Sequence, residues 1–131
     1  MRLNLTEDQE MMRDTVRRFL KKEAPLAKVR ANYNLAEGFT RDYWSQFCAL
    51  GWPALVIPED LGGYTLSGAP AQDLAIVAEE MGRLVAAGPF VPTAIALDAL
   101  SKGGSAFNAV IAALASGEAV AAWAYAEAGD K

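Results

Sequence analysis

The absence of histidine limits the chemistry that the side chains of this 131-residue chain could perform. The sequence contains no histidine, so it cannot assemble a Ser-His-Asp or Cys-His catalytic arrangement, and it lacks the commonest transition-metal ligand. Its single cysteine, Cys48, excludes an intrachain disulfide. A lone thiol within an apolar helical pattern is typical of a small buried side chain. Acid–base or metal chemistry would therefore depend on carboxylates.

Glu79 and Glu80 form an adjacent pair of carboxylates within the strongest helical pattern of the sequence. Paired carboxylates can perform general acid–base catalysis or bind a metal ion. Adjacent residues of a helix, however, point about 100° apart, so these two cannot reach one substrate atom. The pair indicates a solvated or ion-paired helix face, and the sequence predicts neither a catalytic residue nor a metal site in this chain.

Two other patterns could bind phosphate. Arg17, Arg18, Lys21 and Lys22 cluster near the end of the first helical pattern, where positive charge also stabilises the helix dipole. A solvated helix end is therefore favoured over a phosphate site. No lysine follows Gly103-Gly104 at the spacing of a phosphate-binding loop, which favours a plain turn between helices. The net charge of −4 argues against nucleic-acid binding.

Apolar residues at helical spacing predict an all-α fold, a compact bundle of about five helices. The predicted helices begin at Thr6, Thr40, Pro70, Thr93 and Ser105. Thr6 forms a capping box with Gln9, and a short helical turn is expected over residues 26–31. The buried stripes are predicted to include Leu84 and Val85 in the third helix, and Phe107 and Val110 in the fifth. Gly82, inside the third helix, predicts a close approach of another backbone.

The stretch from Trp52 to Tyr64 is predicted to be non-helical. Pro53 and Pro58 remove backbone donors, and Gly62-Gly63 permits positive φ. Because the residues between the prolines are apolar, this stretch is predicted to be a packed connector between helices.

The end of the chain differs from the rest. Ala119 to Glu127 alternates alanine with Trp123 and Tyr125, which predicts a strand. Because a lone strand at the end of a chain leaves its backbone groups unpaired, it would either pair with another copy of the chain or belong to a sheet that is missing. We therefore divide the chain into a helical domain, 1–118, and a strand segment, 119–131. The opening residues lack a secretory signal, and no apolar run approaches the ~20 residues that span a bilayer. The sequence thus predicts a soluble, cytoplasmic protein without a membrane span.

Four stretches in order along the chain resemble the N-terminal domain of the acyl-CoA dehydrogenase family. They are Leu5 to Glu10, Leu50 to Gly63, Ala78 to Arg83 and Leu114 to Glu118. The second contains the motif Pro-Glu-x-x-Gly-Gly, and the third resembles the family's motif Glu-Glu-Leu-Gly-Arg. The resemblance covers the whole chain but only the first third of a typical member, which continues with a β domain and a C-terminal helical bundle. It implies that residues 119–131 are the first strand of that missing β domain.

This resemblance implies an FAD-dependent enzyme of fatty acid or lipid catabolism that performs α,β-dehydrogenation of an acyl-CoA thioester. The family's catalytic glutamate and most of its FAD site lie in the parts that follow, so the 131 residues alone are expected to be inactive and not to hold FAD. The resemblance assigns Thr93, Ala96, Leu97 and Leu100 to the wall of the acyl pocket, with Leu97 and Leu100 only partly committed to the core. It assigns Trp123, Tyr125 and Ala126 to the flavin site.

Two residues depart from the family pattern Ala-x-Thr-Glu-Pro near the flavin: Ala126 replaces threonine and Ala128 replaces proline. These departures favour an alternative, a non-catalytic partner subunit or helical interaction module that supports an active dehydrogenase. Under either interpretation the expected partners are an acyl-CoA substrate and an electron-transfer partner of the full-length enzyme, within a homo- or hetero-oligomer.

Overall fold

A computed structural model of the chain describes residues 4–124. Over these residues it contains no strand and six α-helices, α1 (Glu7–Glu23), α2 (Leu26–Asn32), α3 (Arg41–Ala49), α4 (Pro70–Arg83), α5 (Phe90–Ser101) and α6 (Asn108–Ser116). Three short 3₁₀ turns, Trp52–Val56, Glu59–Leu61 and Ser105–Phe107, connect them. The all-α class predicted from the sequence is confirmed.

Side-chain caps fix the starts of α1 and α3 as predicted. The backbone N–H of Gln9 donates to Thr6 Oγ1 over 3.2 Å, and the backbone N–H of Thr6 donates to Gln9 Oε1 over 3.1 Å. The backbone N–H of Tyr43 likewise donates to Thr40 Oγ1 over 3.3 Å. These bonds satisfy amides that have no partner within their own helix, so each start is specified locally.

The start of α5 differs from the prediction. Thr93 does not cap this helix, because α5 already begins at Phe90 and Thr93 lies inside it. Pro92 is tolerated there because the first-turn amides of a helix have no intrahelical acceptor, so a missing N–H costs nothing. Thr93 is fully buried, and no residue within 4–124 forms a hydrogen bond with its hydroxyl.

The connector between α3 and α4 was predicted to be non-helical, and this is wrong in detail. It forms the 3₁₀ turns Trp52–Val56 and Glu59–Leu61. Gly62 closes the second turn with φ 88°, and a Cβ on Gly63 would overlap the carbonyl oxygen of Ile57 and lie 2.9 Å from that of Ala54. The two glycines therefore perform different tasks, one conformational and one steric. The prediction that the connector is packed is confirmed.

Two clusters of buried apolar side chains form the core. The first joins α1, α3, α4 and the start of α5 around Phe47, whose ring centroid lies 5.2 Å from that of Trp44, 4.8 Å from Trp52 and 5.5 Å from Phe90. The second joins the connector to α5 and α6. Its buried members are Ala54, Ile57, Ala96, Leu97, Ile111 and Leu114.

A partly buried ion pair joins α1 to α4. Arg17 Nε and Nη2 donate to the two carboxylate oxygens of Glu80 over 2.9 and 2.7 Å, and the Glu80 side chain is only 1% exposed. Its neighbour Glu79 points to solvent and pairs with Arg83 over 2.7 Å. The predicted divergence of the two carboxylates and their ion pairing are confirmed, although Glu80 is buried rather than solvated.

Several residues of the predicted stripes lie elsewhere. Gly82 is exposed, and nothing lies within 4 Å of a Cβ built on it, so the predicted close approach is wrong. Val85 is 63% exposed with φ 54°, because α4 ends at Arg83 and the chain reverses just after it. Phe107 and Val110 are also exposed. The strand predicted over Ala119 to Glu127, and with it the domain division, stays a prediction, since residues 125–131 lie outside the described range.

We predict that Glu80→Gln lowers the free energy of unfolding by about 2 kcal/mol at neutral pH, because it weakens two charge-assisted hydrogen bonds of a buried carboxylate. Arg17 lowers the pKa of Glu80 below its ordinary value. The stabilisation is therefore present above the ordinary carboxylate pKa and is lost as the pH falls through the lowered one. Urea unfolding across this acid range should show the wild type converging on the variant. The matched control Glu79→Gln should change little, and an equal loss in both variants would contradict the prediction.

Candidate functional site

An apolar groove of about 430 Å³ lies between α5, the turn that leads into α6, α6 itself and residues 119–123. Its described lining consists of alanine, aliphatic and aromatic side chains, among them Ala96, Leu100, Phe107, Val110 and Trp123. No described charged residue lines it. A groove of this size and composition suits the apolar part of a small molecule.

The elements around the groove are positioned by local hydrogen bonds. At the end of α5, the backbone N–H of Gly103 donates to the carbonyl oxygen of Leu100 over 2.9 Å, which turns the chain toward α6. After α6, the backbone N–H of Ala119 donates to the carbonyl oxygen of Ala113 over 3.0 Å. This bond folds residues 119–123 back along α6, where Ala119 and Ala121 pack against the second cluster. The groove is thus closed on its third side by the segment that precedes the predicted flavin residues.

The four predicted substrate residues separate into two pairs. Ala96 and Leu100 line the groove, one helical turn apart on α5. Thr93 and Leu97 do not line it, and both are fully buried. The prediction that Leu97 is only partly committed to the core is therefore wrong, because α5 packs it against Ile111 and the connector. Leu100, which is half-buried, fits that prediction.

The predicted flavin residues are described only in part. Trp123 lines the same groove as Leu100 and is 53% exposed. Tyr125 and Ala126 lie outside the described residues, so their assignment stays a prediction. The structure thus brings one residue of the predicted flavin site to the same groove as two residues of the predicted acyl wall.

Phe107 and Val110 line the groove although the sequence placed them in a buried stripe. The stripe was ambiguous because α6 is apolar on nearly all sides, so helical spacing alone cannot select its inner face. One signal in the sequence could have indicated the groove. A helix that is apolar on nearly all sides must be covered on more than one side, so a second apolar surface is expected next to α6.

The titratable groups outside the groove fit structural roles. Burial raises the pKa of Cys48 to about 12, so this thiol stays protonated, and its burial confirms the predicted structural role. Arg17, from the basic cluster of α1, is engaged by Glu80. Within residues 4–124, no group of three or more Asp, Glu and Cys side chains is arranged to hold a metal ion. None of the described helices is both long and apolar enough to cross a bilayer.

Comparison with known proteins adds an independent finding. Residues 6–118 match the family model described as acyl-CoA dehydrogenase, N-terminal domain. A curated protein of Mycobacterium tuberculosis, acyl-CoA dehydrogenase IpdE2, is 36% identical over 117 residues, which cover 88% of this chain and 36% of that protein. The protein of the same name from Mycolicibacterium smegmatis is 35% identical over 97 residues, covering 73% of this chain and 30% of that protein. The chain thus spans about a third of the length of these relatives. No solved structure gives a significant match.

The different environments of Leu97 and Leu100 lead to a prediction. Leu97→Ala should lower the free energy of unfolding by about 3 kcal/mol, because it leaves a cavity in the second cluster. Leu100→Ala should cost clearly less, because this side chain borders the open groove. Urea unfolding of the two variants compares them directly, and equal losses would show that Leu100 belongs to the core.

Proposed function

The chain belongs to the acyl-CoA dehydrogenase family, and from this membership we propose that it supplies the helical N-terminal part of an FAD-dependent acyl-CoA dehydrogenase. In the proposed reaction the α-carbon of an acyl-CoA thioester loses a proton and the β-carbon transfers a hydride to the flavin. We place this activity in the cytoplasmic breakdown of fatty acids or other lipids, within an oligomer that passes electrons to a partner.

The observation that carries the proposal is the shared groove. Ala96 and Leu100 on α5 face the same apolar space as Trp123, whose segment leads into the predicted flavin residues. An acyl chain in this groove would gain about 0.8 kcal/mol for each methylene removed from water. The alanines leave room for the chain, and the absence of charge from the described lining suits the uncharged acyl part of the ligand.

The described residues support binding and exclusion of water rather than proton transfer. No described carboxylate lines the groove, so the base that takes the α-proton would come from another part of the enzyme. Trp123 is the described residue that fits a flavin, because an exposed indole can stack on a flat aromatic ring. FAD, when bound, supplies the hydride acceptor. The role proposed for this chain is to hold the acyl group beside it.

A second candidate function is a non-catalytic partner subunit. Ala126 and Ala128 replace the threonine and proline of the family's flavin motif, and the lost hydroxyl removes a hydrogen-bond donor from that site. A subunit of this kind would shape or stabilise an active dehydrogenase without holding its own flavin.

The groove can be tested with the octanoyl thioester of N-acetylcysteamine, an uncharged mimic of acyl-CoA. Trp44 and Trp52 are buried, so Trp123 is the solvent-exposed tryptophan of the chain. We expect a saturable change in tryptophan emission that is lost in Trp123→Phe. Free N-acetylcysteamine, which has no acyl chain, should give none. If free N-acetylcysteamine changes the tryptophan emission as much as the octanoyl thioester does, acyl binding in this groove is contradicted.

Flavin content separates the two candidate functions. We expect the product of the whole reading frame that contains this sequence to bind FAD and to reduce a dye with acyl-CoA, whereas the 131 residues alone should do neither. A full product without flavin absorbance, which gains activity only when mixed with a second subunit, would favour the partner role.

A further inference from the structure

We infer that Phe107 sets the length of apolar chain that the groove accepts, and that Gly103 positions its ring. This inference rests on the proposed function, because it concerns the same groove and an acyl chain within it.

Gly103 provides the space in which the Phe107 ring lies. A Cβ built on Gly103 would lie 2.6 Å from Phe107 Cε2 and 2.7 Å from Cδ2, closer than such atoms can approach. Gly103 is not among the glycines with positive φ, whereas its neighbour Gly104 has φ 90°. Glycine at position 103 therefore leaves room for the ring in this place, whereas glycine at position 104 suits a positive φ.

Phe107 lies on the side of the groove toward which α5 runs. Ala96 and Leu100 follow one another along α5 toward its last residues, and Phe107 lies in the 3₁₀ turn just beyond. Its backbone N–H donates to the carbonyl oxygen of Gly104 over 3.3 Å, which holds the main chain of this turn. Phe107 is 38% exposed, so its ring forms a wall of the groove and is not locked into the core.

Because of these contacts, Phe107 can discriminate between apolar chains of different length, which the alanines of the lining cannot do. A chain that ends before the ring buries its methylenes against α5 and α6. A longer chain must either displace the ring from its place on Gly103 or leave its last carbons in water. The gain in affinity per methylene should therefore fall once the chain reaches Phe107.

The test compares the butanoyl, octanoyl and dodecanoyl thioesters of N-acetylcysteamine, with affinity measured from Trp123 emission. In the wild type, affinity should rise more from butanoyl to octanoyl than from octanoyl to dodecanoyl. Phe107→Ala should raise the ratio of dodecanoyl to octanoyl affinity by at least about fourfold, the value of one further methylene buried. Phe107→Leu should give an intermediate ratio.

A double-variant cycle tests the role of Gly103. Gly103→Ala should also change the dodecanoyl-to-octanoyl ratio, because the new Cβ overlaps the Phe107 ring and displaces it, whereas its contact of 3.3 Å with the carbonyl oxygen of Leu100 is milder. If Gly103 acts through the ring, the double variant should match Phe107→Ala alone. Gly82→Ala is the matched control, because nothing lies within 4 Å of its added Cβ, and it should leave the ratio unchanged.

The outcomes distinguish this inference from the proposed function. If the folded wild type binds no thioester of any length, both are overturned. If it binds them but Phe107→Ala keeps the wild-type ratio, or if the effect of Gly103→Ala persists in the double variant, only the role of Phe107 and Gly103 is overturned.

Discussion

The contact of the α3–α4 connector with its own backbone is the constraint on which the rest of the fold depends. Gly63 lies so close to the carbonyl groups of Ile57 and Ala54 that no side chain fits there. This closure keeps the connector compact and directs its side chains to opposite sides, with Leu55 in the first apolar cluster and Ala54 in the second. The second cluster holds α5 and α6, which form two sides of the groove. The glycines and prolines of this stretch do not line the groove. They affect its shape because the connector packs against the two helices that form its sides.

Helix α4 is held by polar contacts at both ends, and these complete the frame. Near its start, the buried carboxylate of Asp73 accepts from Gln9 Nε2 over 2.8 Å and from the Ser67 hydroxyl over 2.7 Å. Toward its end, Glu80 accepts from Arg17. A buried carboxylate is tolerated only where its oxygens are hydrogen-bonded, so both acids restrict how α4 lies against α1. The resulting position of α4 determines where α5, the next helix of the chain, begins to pack on the core.

The sequence predicted those parts of the structure that short-range chemistry determines. The Thr6 and Thr40 caps, the first-turn position of Pro70 and the packed connector all depend on residues within a few positions of each other. The failures share another cause. Helices α5 and α6 are apolar on nearly all sides, so helical spacing could not show that Leu97 points inward while Phe107 borders the groove. The partner of Glu80 lies 63 residues away, and the space that Gly103 provides for a ring is visible only in three dimensions.

The two-sided packing of the connector also has a consequence for how the domain opens. Its first 3₁₀ turn contributes side chains to both clusters. Helix α5 does the same, with Phe90 in the first cluster and Leu97 in the second. A local fluctuation that lifts either element would expose apolar surface from both clusters at once. Such coupling disfavours partly open forms in which one cluster has melted and the other remains, and so favours a single cooperative unfolding unit. The walls of the groove then share the stability of the whole helical core.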